Sequence, residues 1–90
     1  MPYALVCIDK PDALAIRLAN RDAHLEHIRA SGVVAMAGPL LNEAGGMTGS
    51  LIVLDVGDAA SAERWASADP YAQAGLFATV GIHRWKKVVG

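Results

Sequence analysis

Cysteine is almost missing from this chain: Cys7 is its single thiol. No internal disulfide can form, which suits a reducing, cytoplasmic setting. Basic residues are few and scattered. Eight Lys and Arg against nine Asp and Glu leave a formal charge of -1. Without a basic block, phosphate-driven nucleic-acid binding has no footprint. Aromatic residues make up only 6% of the chain. RNA-recognition sheets stack bases on strand aromatics, and Leu51-Ile52-Val53-Leu54 offers none. No apolar run approaches the ~18–20 residues that span a bilayer. The N-terminus lacks the positive flank and apolar stretch of a signal peptide. Gly45-Gly46 and Gly49 lie between two strand-like segments and lack the lysine and following helix of a phosphate loop. No nucleophile elbow or zinc-protease motif occurs.

What is there is mostly packing. Hydrophobic residues make up 53% of the chain, and 90 residues make one domain (1–90) with a thin core. An apolar surplus on so short a chain predicts a surface covered by another subunit, a homodimer or higher homo-oligomer. Tyr3 to Ile8 reads as a first strand. Asp12 opens a long helical region in which Leu14, Leu18, Leu25 and Ile28 form one buried stripe. Asn20 is a candidate break in that region, and Ser31-Gly32 ends it. Val33 to Leu40 and Gly49 to Val56 read as strands joined by a glycine-rich loop. Asp58 caps a helix running to about Ala68, with Ala62, Trp65 and Ala66 on its apolar side. Asp69-Pro70 restarts a short helix, since aspartate at the cap and proline in the first turn form a strong start signal. Phe77 to Val88 is the last strand.

The order β-α-β-β-α-β predicts an α+β, ferredoxin-like fold, a four-stranded antiparallel sheet with both helices on one face. The second and third strands do not alternate apolar with polar residues. Continuous apolar strands imply burial on both faces, so a second sheet packed face to face is expected.

Few residues carry chemistry. His24 lies about 80° from the centre of the leucine stripe at ~100° per residue, at the border of the core. Arg21 falls inside that stripe if the helix is continuous, where a guanidinium needs a partner or a polar pocket. Asp69 is fully explained as a helix cap, and Tyr71 as packing or as a hydroxyl at the lip of a cleft. A histidine and a carboxylate that met would be worth more. Imidazole changes charge near neutral pH, and a carboxylate can orient it. His24 and His27 stand three positions apart, but no third ligand is near. No metal or other cofactor is expected. His83 reads as an exposed or interface residue, and Trp85 as an interface residue.

The chain resembles the YciI-like family of the dimeric α+β barrel superfamily. The resemblance spans essentially the whole sequence. It rests on Tyr3-Ala4-Leu5-Val6, Arg17, Arg21-Asp22-Ala23-His24-Leu25, Ala37-Gly38-Pro39 and Thr48-Gly49-Ser50. It continues through Trp65-Ala66-Ser67-Ala68-Asp69-Pro70-Tyr71 and Ala74-Gly75-Leu76-Phe77. Asp22 departs from the proline common in relatives, and the loop Asn42 to Met47 is short. The resemblance implies two sheets packed in a dimeric barrel and a His–Asp pair, matched by His24 and Asp69, as the active centre. Arg21 and Ser50 match polar residues around the same cleft, and Tyr71 joins them as a substrate-binding position. The implied function is general acid/base chemistry (isomerisation, elimination or hydrolysis) on a small cyclic or aromatic-derived acid, as in muconolactone isomerases and a dehydrochlorinase. The alternative class is a non-catalytic ligand-binding or assembly module, and a third is a cofactor-free monooxygenase. Fold alone does not separate them.

Overall fold

In the computed structural model, which describes residues 2–90, seven elements follow one another. They are β1 (Pro2–Asp9), α1 (Leu14–Ser31), β2 (Val34–Leu41), β3 (Met47–Asp55), α2 (Ala59–Ala68), α3 (Pro70–Gln73) and β4 (Phe77–Arg84). The strands form one antiparallel sheet in the order β2-β3-β1-β4. This is the ferredoxin-like α+β arrangement expected from the element order.

Side-chain alternation divides the sheet into two unlike faces. Tyr3, Leu5 and Cys7 of β1 stand opposite Leu54, Ile52 and Ser50 of β3, and all six are buried. Ala62 and Trp65 of α2 close over this face and complete the main core. Each fully buried Leu or Ile here contributes roughly 1.5–3 kcal/mol. The opposite face carries Ile8, Met36 and Leu51, which are 43%, 51% and 38% exposed. The non-alternating strands therefore have one face under the helices and one apolar face open to solvent at Ile8, Met36 and Leu51, with Val53 buried among its neighbours.

The first helix corrects three sequence expectations. It runs unbroken through Asn20, whose side-chain amide donates to the Ile16 carbonyl at 2.9 Å and so meets its hydrogen-bonding need within the helix. It begins at Leu14 rather than Asp12, which sits in the left-handed region at φ 55° before the helix. The leucine stripe does not point inward: Leu14, Leu18 and Leu25 are 49%, 56% and 43% exposed. The inward face is instead Ala13, Arg17 and His24, with Ile16, Asn20, His27, Ile28 and Ser31 partly buried beside them. That face lies about one residue's rotation from the leucines and is largely polar. Gly32 ends the helix at φ 68°, a conformation that costs glycine no Cβ clash.

Other boundaries follow local chemistry. Asp58 accepts from the Ser61 amide at 2.7 Å and caps α2. Asn42 Oδ1 accepts from the Ala44 and Gly46 amides, which closes the β2–β3 connection without a longer loop. β4 stops at Arg84, short of the expected Val88, although the Trp85 amide still donates to the Pro2 carbonyl. Among the described residues, no helix is long and apolar enough to cross a membrane.

Candidate active site

The site is built where α1 crosses the end of the sheet formed by Cys7, Asp9 and Ser50. Arg17 and His24 are seven positions apart on α1. That spacing is nearly two full turns, so both project inward in line, about 10 Å apart along the axis.

Asp69 supplies the partner for His24. It ends α2 and caps α3, and its backbone is extended rather than helical. Its Oδ1 accepts from the Tyr71 amide at 3.0 Å and lies 2.8 Å from His24 Nδ1. One oxygen thus serves both the cap and the imidazole, and the two sequence readings of Asp69 coexist. A carboxylate only accepts, so Nδ1 carries the proton and Nε2 of the neutral ring holds the free lone pair. Asp69 is 1% exposed and His24 is 6% exposed, so the contact is sheltered from water. Tyr71 packs flat on His24 with ring centroids 3.9 Å apart. Phe77 meets Tyr71 edge-on at 6.1 Å. The imidazole is held by a hydrogen bond at its edge and a stack on its face.

A second cluster joins Ser50, placed near the cleft by the family resemblance, to Arg17 and Asp9, which the sequence did not assign to the site. Arg17, buried at the floor of the site, donates from Nε and Nη2 to both oxygens of Asp9 at 2.8 Å. Its Nη2 also donates to Ser50 Oγ at 3.0 Å, and its guanidinium carbon lies 4.8 Å from the centre of the Tyr71 ring. Burial opposes the Arg17 charge, but the hydrogen bonds and charge of Asp9 outweigh it and raise its pKa. Burial also pushes the Tyr71 hydroxyl upward, partly opposed by Arg17, so the phenol stays protonated near neutral pH. Cys7 lies below the cluster, where burial first and the charge of Asp69 second raise its thiol to about 12.

These side chains open onto a cavity of about 220 Å³. Its polar wall is Arg17, Arg21, His24, Ser50 and Tyr71, and its apolar wall includes Ile28, Pro39, Met47 and Ile52. Drug-sized ligands occupy cavities of roughly 300–1,000 Å³, so this one is sized for a single small ring. Arg21 lies on the leucines' side of the continuous helix and is exposed at the rim, where its charge reaches the polar pocket. The guanidinium in the interior is Arg17, and the buried acid facing it is Asp9. The seven-residue spacing of Arg17 and His24 was the available signal. It was hidden by the more conspicuous leucines one residue further on. Among the described residues, no group of three or more His, Cys, Asp or Glu side chains could hold a metal ion. His27 turns instead to α2, with Nε2 donating to the Trp65 carbonyl at 3.1 Å.

Fold and cavity together define a small α+β protein with a histidine in the wall of a ring-sized pocket and a buried carboxylate behind it. The chain belongs to the YCII-related domain family, whose model matches residues 1–86. Protein YciI of Escherichia coli is 36% identical over 97 residues, covering 98% of this chain and 99% of that protein. An uncharacterized Haemophilus influenzae protein is 34% identical over 99 residues, with 98% and 99% coverage. A solved structure of a 5-chloro-2-hydroxyhydroquinone dehydrochlorinase from Burkholderia phenoliruptrix, in complex with 2,5-dihydroxybenzoquinone, superposes with a TM-score of 0.89. It is 29% identical and covers 96% of this chain and 94% of its own. An antibiotic biosynthesis monooxygenase shares the fold at a TM-score of 0.57 and 13% identity, covering 97% of this chain and 100% of its own.

Proposed function

We propose that this protein is a small enzyme in which His24 Nε2 moves a proton on a small ring-derived acid. The observation that carries this reading is the 2.8 Å contact between His24 Nδ1 and Asp69 Oδ1 beside a ring-sized cavity. Asp69 sets the tautomer and favours the imidazolium that forms when Nε2 takes a proton. In an elimination, Nε2 would remove a ring proton or hydroxyl proton. The electron pair released becomes a new double bond, and the leaving group departs with its own pair. In an isomerisation the same proton returns at another carbon. Likeness to a dehydrochlorinase at 29% identity supports this class of chemistry. A positioned acid/base supplies about 10²–10⁴-fold, so the cavity must also orient the ring. The apolar walls and the Tyr71 face suit a planar ligand, and Arg21 stands at the rim to meet an anionic substituent.

A homodimer is part of the reading. The bare apolar face bearing Ile8, Met36 and Leu51 is suited to a second sheet packed against it. The buried single cysteine is compatible with a cytoplasmic setting.

The test is turnover. Chloride release from 5-chloro-2-hydroxyhydroquinone and isomerisation of small lactone acids would be measured for the wild type and for His24→Ala. The reading expects one of these classes to be turned over, with a loss of at least about a hundredfold in the variant. A variant as active as the wild type would refute it.

A further inference from the structure

Ser50 has only one way to bond. Its Oγ receives a hydrogen bond from Arg17 Nη2 at 3.0 Å, and a guanidinium has no acceptor to offer in return. The Ser50 proton must therefore go elsewhere. Ser50 is 3% exposed, it lines the cavity, and no protein acceptor receives its hydroxyl. Arg17 is itself partly committed. Nε and Nη2 are used by Asp9 and Ser50, the guanidinium also interacts with the Tyr71 hydroxyl, and Arg17 lines the cavity. The Ser50 hydroxyl thus faces the cavity beside a fixed positive charge, on the wall that also carries His24.

We infer that Asp9, Arg17 and Ser50 form the recognition device of the cavity, selecting a ring that carries an ionised oxygen. This rests on the proposed ring-acid chemistry and assigns its specificity to residues that chemistry does not itself require. Asp9 is the positioning residue. Its two oxygens pin the guanidinium, and the guanidinium fixes Ser50 as a donor to an acceptor in the cavity, with the Arg17 charge close behind. Hydrogen bonds to a charged acceptor are about twice as strong as neutral ones, so a phenolate, enolate or carboxylate oxygen is favoured over a neutral hydroxyl. Arg21 at the rim is exposed and makes no side-chain hydrogen bond, so it attracts anions without fixing their orientation.

The test is calorimetric titration of two planar rings at neutral pH, kept free of oxygen. The first is 2,5-dihydroxybenzoquinone, whose hydroxyls are conjugated to carbonyls and ionise as vinylogous acids. The second is hydroquinone, which stays neutral. Wild type is expected to bind the first at least about tenfold more tightly. Ser50→Ala and Arg17→Lys should each lose about tenfold or more for it, with a smaller loss for hydroquinone. Asp9→Asn should narrow the preference between the two rings, a change that simple loss of stability does not produce. Ser50→Ala removes one oxygen atom, so it keeps the test decisive if Arg17→Lys folds poorly. If the wild type prefers the ionised ring and Ser50→Ala keeps that preference undiminished, the inference fails and the proton-transfer reading stands. Equal binding of both rings by the wild type also overturns it. A wild type that binds neither ring overturns the inference and counts against the ring-acid reading as well.

Discussion

Tyr71 lies against His24 with ring planes only 13° from parallel. The contact joins α1 to α3, two elements far apart in sequence, and it uses a residue that is 2% exposed. Tyr71→Ala would leave a void under the imidazole and cost about 3–5 kcal/mol, as large aromatic truncations do. Tyr71→Phe preserves the stacked face and should stay within about 1.5 kcal/mol of the wild type. Urea unfolding of the two variants measures the difference.

Asp69 does two jobs through one oxygen, and they can be separated. Asparagine still accepts from the Tyr71 amide, so Asp69→Asn keeps the start of α3. It removes the negative charge that favours a protonated His24. Turnover should fall by about 10²–10⁴-fold while the circular dichroism spectrum is retained. Activity within a few-fold of wild type would show that the carboxylate does not assist His24.

Much of this arrangement was legible in the sequence wherever the signal was local. Asp69-Pro70 announces a helix start from two adjacent residues, and Ser31-Gly32 announces a helix end. The element order followed, and with it the sheet. The phase of α1 did not. Helix phase is read from the apolar face, but the inward face here holds Arg17, Asn20 and His24 because it borders a cavity. Asp9 read as the end of a strand. Its partner Arg17 lies eight positions away, across a turn, and no periodic pattern links the two. Arg17 was buried by that pairing, whereas Arg21, four positions further along, met only the rim.

Cys7 should be inert while the chain is folded. Its thiol is 1% exposed and its pKa is raised to about 12, so almost no thiolate forms near neutral pH. A thiol-specific reagent should label it only after denaturant is added. The same shift has a sign in stability. The folded chain holds this proton more tightly than the unfolded chain, so Cys7 adds no pH dependence below its ordinary value of 9.0. Above that, the unfolded state ionises first and stability falls progressively toward about pH 12. Cys7→Ala should flatten that alkaline decline, and an unchanged slope would place its origin elsewhere.

The uncovered sheet face makes a separate prediction. Leu51 sits on β3 at 38% exposure, on the same face as Met36 and Ile8. If a second copy covers this face, Leu51→Glu places an unpaired charge in the interface and converts the dimer to monomer. Sedimentation or light scattering reads the mass directly. A wild type that is monomeric at all practical concentrations would remove the second sheet from the account.

The most direct measurement is the tautomer of His24 by nitrogen-15 NMR, at a pH where the ring is neutral. The account predicts a proton on Nδ1, a bare Nε2, and a large Nε2 shift when 2,5-dihydroxybenzoquinone is added. A ring protonated on Nε2, or an Nε2 resonance indifferent to a ligand bound in the cavity, would contradict it.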